Sequence, residues 1–392
     1  MTLSRTDRSL LTDWWFTVDR VLLATVLTLA CSGLVLSLAA SPAVALKKGF
    51  GAFHFVERHL AFTLLGLGLM LTVAFLQPRT IRRLALVVFF GAIAVMIAVL
   101  LGADEINGAR RWVRIASFSL QPSELAKPAF VVLSAWAFAE AQNRSDMPAL
   151  PIAFSLYAVF AVLLVLQPDI GQTLLISLTW GGLFVLSGQS IVSALLFALM
   201  GVASLVAAYF TLGYVRLRFD RFFALAPDDN SQTARALQSF IEGGFLGRGP
   251  GEGTIKTALP DAHTDFIFAV VAEEYGALAC MVLAGLFAAI VLRAFVRSFG
   301  ENDHFTRLAV AGLSAMFGFQ ALINMAVNVG LLPAKGMTLP FISAGGSSLI
   351  SVYLTMGMLL ALTRWRPDLS RLRRPQLSAT TNHVGHLGPT TQ

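Results

Sequence analysis

Residues 84–101 read LALVVFFGAIAVMIAVLL, eighteen positions with no charged side chain, and Arg79, Arg82 and Arg83 stand just before them. A helix that crosses the hydrocarbon of a bilayer needs roughly 17–25 mostly apolar residues. The run does not alternate apolar and polar positions, as a strand of a closed membrane barrel does. A helix is the other way to satisfy a backbone in lipid. Working outward from this stretch, comparable ones cover roughly 20–41, 60–76, 124–141, 151–166, 170–187, 190–211, 266–292, 306–329 and 341–362. The expected fold is therefore all-α, a polytopic membrane protein with ten transmembrane helices.

Composition agrees with this reading. The chain is 56% hydrophobic and 13% charged, against about 25% charged in soluble domains. Cys31 and Cys280 both lie in apolar stretches, which excludes a disulfide framework or thiolate metal cluster. The six histidines show no metal-ligand spacing. The net charge of +7 is scattered over short loops and a tail, so membrane topology explains it better than nucleic-acid binding. The first 20 residues lack a cleavable signal-peptide pattern.

With ten spans both termini share one side. Arg79, Arg82, Arg83, Arg293 and Arg297 fall there, as do Arg364, Arg366, Arg371, Arg373 and Arg374. The positive-inside rule makes that side cytoplasmic. The expected organisation is a cytoplasmic segment 1–19, a membrane domain 20–365 with a large extracytoplasmic loop 212–265, and a disordered cytoplasmic tail 366–392.

The polar motifs then fall on the outer side. Ser123, Glu124, Lys127 and Pro128 open the fourth stretch. Ser123 is a candidate helix cap, and Pro128 predicts a kink. Glu124 and Lys127 share a helical face and can pair, either to fix that kink or to serve a reaction. Arg110 and Arg111 precede them, and paired guanidiniums suit phosphate. Arg216, Arg218 and Arg221 alternate with apolar residues, as in an interfacial helix. Six glycines fall within 243–253, which permits tight turns and close approach to a ligand. Asp265 stands at the start of the eighth stretch, as a helix cap or as a general base at the membrane mouth. Glu273 and Glu274 lie further in and require a cavity or a partner. Asp169 reads as a cap. Asn324 and Asn328 share a face ahead of a Ser-Gly entry into the last stretch.

In family order, the motifs are 108–112, QPSELAK at 121–127, QPDIG at 167–171, the glycine run 243–249, 259–274 and 328–348. Over roughly residues 20–365 they resemble the SEDS family (shape, elongation, division and sporulation proteins). Residues 333–340, PAKGMTLP, look more like its division branch. Ala344 and Asp261 depart from the tyrosine and glutamate usual there.

The resemblance implies a ten-span peptidoglycan glycosyltransferase that polymerises lipid II on the outer face of the bacterial cytoplasmic membrane, at the division septum. It implies Asp265 as the catalytic base, in a motif that also holds His263, Glu273 and Glu274, and a supporting Glu124–Lys127 pair. Arg110, Arg111, Arg218 and Lys335 are the candidates to bind the pyrophosphate. A divalent cation, Mg or Mn, is a possible cofactor without a visible protein cage. Expected partners are a class B penicillin-binding transpeptidase and other division proteins. Two other functions compete, a lipid II flippase and a non-catalytic division scaffold. Charges gathered at the outer end favour surface chemistry over both.

Overall fold

The computed structural model describes residues 9–102, 110–115, 118–144, 146–223, 231–259, 261–333 and 336–365. Lys335, the motif residues 105–109 and the tail 366–392 lie outside them, as do the side chains of Arg218 and Arg221. The helices are α1 (Leu10–Thr17), α2 (Arg20–Lys47), α3 (His54–Ala74), α4 (Pro78–Gly102), α5 (Pro122–Asn143), α6 (Ala149–Leu166), α7 (Ile170–Leu186), α8 (Ile191–Thr211), α9 (Gly213–Phe223), α10 (Gln232–Gly243), α11 (Ile267–Phe299), α12 (His304–Asn328) and α13 (Gly346–Leu362). A short antiparallel hairpin, β1 (Val113–Ile115) with β2 (Phe118–Leu120), precedes α5.

Each of the ten apolar stretches is a helix. Among the described residues, seven helices are long and apolar enough to cross a membrane: α2, α3, α4, α6, α8, α11 and α12. Helices α7 and α13 are apolar but only 17 residues long, about 26 Å at 1.5 Å per residue. Helix α5 carries Glu124, Lys127 and Glu140 and is absent from both groups.

That polar helix is the centre of the bundle. It packs against α4, α6, α7, α12 and α13, while α13 lies along α3 and α11 along α12. Helix α8 is at the opposite extreme, with no buried residue.

The two ends of the bundle differ in kind. At one end Asp19 caps α2 and accepts from Arg293 at 2.9 Å and Arg297 at 2.6 Å. Trp365 N donates to Thr17 O at 2.9 Å, so the described chain ends meet there. Arg293 and Arg297, two of the arginines expected on one side, therefore meet near the described chain ends.

Helix α11 is not one rod. Gly276 has φ +77° and breaks it into two helices. Gly247 and Gly243 press their backbones on the first of these: a Cβ on Gly247 would stand 2.3 Å from Glu274 O, and one on Gly243 1.9 Å from Ala272 O. The glycines permit close approach, as expected, but to the protein's own helix. Arg248 N and Gly249 N donate to the carbonyls of Glu273 and Glu274, and Ala277 N and Leu278 N donate back to Gly244 and Phe245.

Candidate functional site

Asp265 lies in a turn that ends against α11. It does not cap the helix: Phe266 occupies the cap position and provides no side-chain bond. The cap comes instead from α12, where Asn328 Oδ1 accepts from Ala269 N at 3.1 Å. Asn328 Nδ2 and Asn324 Nδ2 each donate to the Asp265 carbonyl at 2.9 Å, and Asn324 also donates to Met337 O at 2.6 Å. Both asparagines are buried. They fix the Asp265 backbone and leave its carboxylate free of the capping role.

Among the described residues, no side chain or amide hydrogen-bonds that partly buried carboxylate. Burial pushes its pKa up to about 7; the charge of Asp261 adds to the rise, Arg111 opposes it and Asp169 adds a little. Its Oδ2 stands 3.6 Å from where a Cβ on Gly336 would be, which places the start of the 336–345 segment beside it. That segment is latched to the turn: Ala344 N donates to His263 O at 2.9 Å, and Ser343 Oγ donates to Thr264 O at 2.5 Å. Phe341 within it has φ +66°, a conformation costly for a bulky residue. Its ring is buried 4.9 Å from Tyr353, which supplies the packing that holds it.

His263 is buried against Phe55, with ring centroids 4.4 Å apart. Burial lowers its pKa to about 4, and the charge of Lys48 adds to the fall. The imidazole is therefore neutral at neutral pH and serves as a wall of the turn.

A polar chain runs beside Asp265. Arg111 Nη1 is 3.4 Å from Asp169 Oδ2, which also accepts from Gln121 Nε2 at 2.9 Å. Asp169 Oδ1 caps α7 through Gln172 N at 3.2 Å, as expected. Burial raises the pKa of Asp169, against the pull of Arg111 and the Gln172 amide. Gln172 Nε2 donates to Glu124 Oε1. Glu124 pairs with Lys127 at 2.8 Å, and Lys127 Nζ donates to Gln320 Oε1 at 3.0 Å. Gln320 Nε2 reaches Thr338 O at 3.2 Å, one residue past the Met337 carbonyl that Asn324 holds.

The expected motif residues thus divide. Asp265, Arg111, Glu124 and Lys127 belong to one assembly, and Arg110 is exposed at its edge. Glu273 and Glu274 do not join it. Glu273 accepts from the amides of Thr254, Ile255 and Lys256 at 2.6–3.0 Å, and Glu274 pairs with Lys256 and accepts from Gly251 N. They staple the long loop to α11.

Ser123 is not the cap of α5. Gln121 holds that position, Pro122 is the first helical residue, and Ser123 Oγ accepts from Gln121 Nε2 at 3.1 Å. Pro128 removes the amide that would bond Glu124 O, and Ser351 Oγ of α13 donates to that carbonyl at 2.5 Å. The helix continues through Pro128.

Sequence reasoning missed Gln121, Gln172 and Gln320. The available signal was a glutamine within or beside an apolar stretch, where an amide requires a partner. Among the described residues no group of three or more His, Cys, Asp or Glu side chains is arranged to hold a metal.

The FtsW/RodA/SpoVE family, described as "Cell cycle protein", matches residues 19–367. A "Probable peptidoglycan glycosyltransferase FtsW" of Caulobacter vibrioides is 46% identical, over 93% of this chain and 94% of that protein. One of Geobacter sulfurreducens is 35% identical, over 88% and 95%. A solved structure described as "Structural coordination of polymerization and crosslinking by a peptidoglycan synthase complex" superposes with a TM-score of 0.74 at 29% identity, covering 88% of this chain and 97% of that one. The rod shape determining protein RodA of Thermus thermophilus gives a TM-score of 0.65 at 26% identity, over 90% and 99%.

Proposed function

The chain belongs to the FtsW/RodA/SpoVE family, and from that premise we propose that Asp265 is the general base of a glycosyl transfer performed at the mouth of α11. The protein is a multi-pass membrane peptidoglycan glycosyltransferase, as its relatives are named. Its substrate is lipid II, a disaccharide-pentapeptide on undecaprenyl pyrophosphate. Its place is the bacterial cytoplasmic membrane at the septum, beside a class B penicillin-binding transpeptidase and other division proteins.

The observation that carries the base assignment is the Asp265 carboxylate itself. It is partly buried, has no hydrogen-bond partner among the described residues, and has a pKa pushed up by burial to about 7. A carboxylate near neutrality is a far better proton acceptor than one at its ordinary ~3.9. Asp265 removes the proton from the acceptor's GlcNAc 4-hydroxyl. That oxygen attacks C1 of the donor MurNAc with inversion, and undecaprenyl pyrophosphate departs. Part-exposed Arg111 and exposed Arg110 offer cationic donors to the charge that grows on the leaving group. Arg218 and Lys335 remain candidates for the same role.

The test is polymerisation of lipid II in detergent by the chain purified with its transpeptidase, where no transport step is needed. Asp265→Ala should lower the rate by about 10²–10⁴-fold, the usual contribution of a general base, while partner binding persists. The wild-type rate should rise with pH through about 7, because the base acts only when deprotonated. Equal polymer from both proteins would remove the base assignment.

A further inference from the structure

We propose that the turn after α10 is a membrane anchor, seated in the outer-leaflet boundary and covered there by lipid acyl chains. Helix α10 buries Ala236, Ser239 and Gly243. Its other face exposes Leu237 at 46% and Ile241 at 74%, and the turn beyond exposes Phe245 at 61% and Leu246 at 75%. Gln238 and Glu242 are the polar residues among them; the Gln238 amide donates to Glu242 at 2.9 Å, and Glu242 also pairs with Arg248.

The patch does not stand alone. Leu278 N donates to Phe245 O at 3.2 Å, so the turn lies directly on α11. Leu278, Met281 and Val282 are exposed on α11 next to it, and they belong to a helix apolar enough to span. The apolar surface of the turn therefore continues the lipid-facing surface of a span.

Depth can be counted along α11. Arg293 and Arg297 meet Asp19 at the opposite end of the bundle. From Arg293 back to Ala277 the helix is unbroken and covers about 24 Å at 1.5 Å per residue, against a hydrocarbon core of ~30 Å. The contacts at Ala277 and Leu278 therefore fall about 6–8 Å short of the far boundary of that core. The depth of the turn is the 5–10 Å typical of interfacial elements.

The hydrogen bonding supports the same placement. Irregular backbone at membrane depth is tolerated only when its polar groups are satisfied by protein. Here Arg248 N and Gly249 N bond carbonyls of α11, while Gly244 O and Phe245 O accept from Ala277 and Leu278. The amides of Gly251, Thr254, Ile255 and Lys256 bond the buried Glu273 and Glu274. Two buried carboxylates and a broken helix are costly, and they are placed where they satisfy this loop.

The test uses nitroxide labels on single cysteines in a Cys31→Ser, Cys280→Ala background, in nanodiscs without any other protein. Labels at Ile241→Cys and Leu246→Cys are compared with Val282→Cys on α11 and with Glu252→Cys, which is exposed beyond the turn. The ratio of oxygen to nickel-chelate accessibility at 241 and 246 should match that at 282 and exceed that at 252 several-fold. A ratio at 241 and 246 equal to that at 252 overturns the proposal. So does a high ratio that appears only when the transpeptidase is added, because the cover is then protein.

Discussion

Helices α5 and α8 invert the relation between burial and hydrophobicity that soluble proteins teach. Helix α5 holds a lysine and a glutamate at 1% and 4% exposure, and most of its residues are buried. Helix α8 carries no charged residue and has no buried residue. Lipid tails are as apolar as leucine, so no hydrophobic force draws α8 inward. Polar side chains gain by leaving the lipid, so the helix that carries them becomes the hub. The interior of this bundle is thus specified by hydrogen bonds and ion pairs as much as by packing.

The largest effect should come from splitting the α5 pair. Lys127→Ala leaves Glu124 buried without its cation and should cost about 3–5 kcal/mol, read as a fall in thermal midpoint in detergent. Removing both charges, as Glu124→Gln with Lys127→Met, should restore most of that stability. A single mutant as stable as the wild type would break the comparison at its polar end.

On α8 the comparison is sharpened by one position. Leu196 is 56% exposed. Leu196→Asp should cost about 2.5–3.5 kcal/mol of membrane insertion if it faces lipid, seen as a reduced fraction inserted. Leu196→Ala should stay within about 0.5 kcal/mol, as substitutions outside packed regions do.

Asn328→Ala removes the cap that α12 lends to α11 and should cost about 1–2 kcal/mol. It also removes one of the two amides that hold the Asp265 carbonyl, so the pH midpoint of polymerisation should move, which loss of stability alone would not cause. Asp265→Asn tests the same group by its effect on stability. A carboxyl whose folded pKa is raised from 3.8 to about 7 contributes stability fully below 3.8 and loses it as pH rises through 7. The variant should therefore be more stable than wild type at pH 8, and the advantage should fade as pH falls from about 7 and be gone by about 4. Equal midpoints at pH 8 would show that Asp265 is not strained by burial.

Much of the fold was legible because membrane spans are local facts. Length and apolarity mark a helix without knowledge of its neighbours, and all ten stretches are helices. Asp265, Arg111 and the Glu124–Lys127 pair were legible for a related reason, since a charge near or in an apolar stretch is expensive enough to require a purpose. The role of Ser123 was not, nor were the partners that answer Pro128, Glu273 and Glu274. Ser351, 227 residues from Glu124 in the chain, satisfies the carbonyl that Pro128 orphans.

The sequence by itself determined an all-helical membrane chain with charged residues gathered toward two ends, because the cost of placing each residue type in hydrocarbon acts residue by residue. Tertiary structure alone decided which polar group meets which. It placed α5 at the centre, made Asn328 the cap for a helix 59 residues earlier in the chain, and turned the glycine run into a clasp on the break at Gly276. Hydrogen bonds are short and directional, so partners distant in sequence become visible only once the helices are packed.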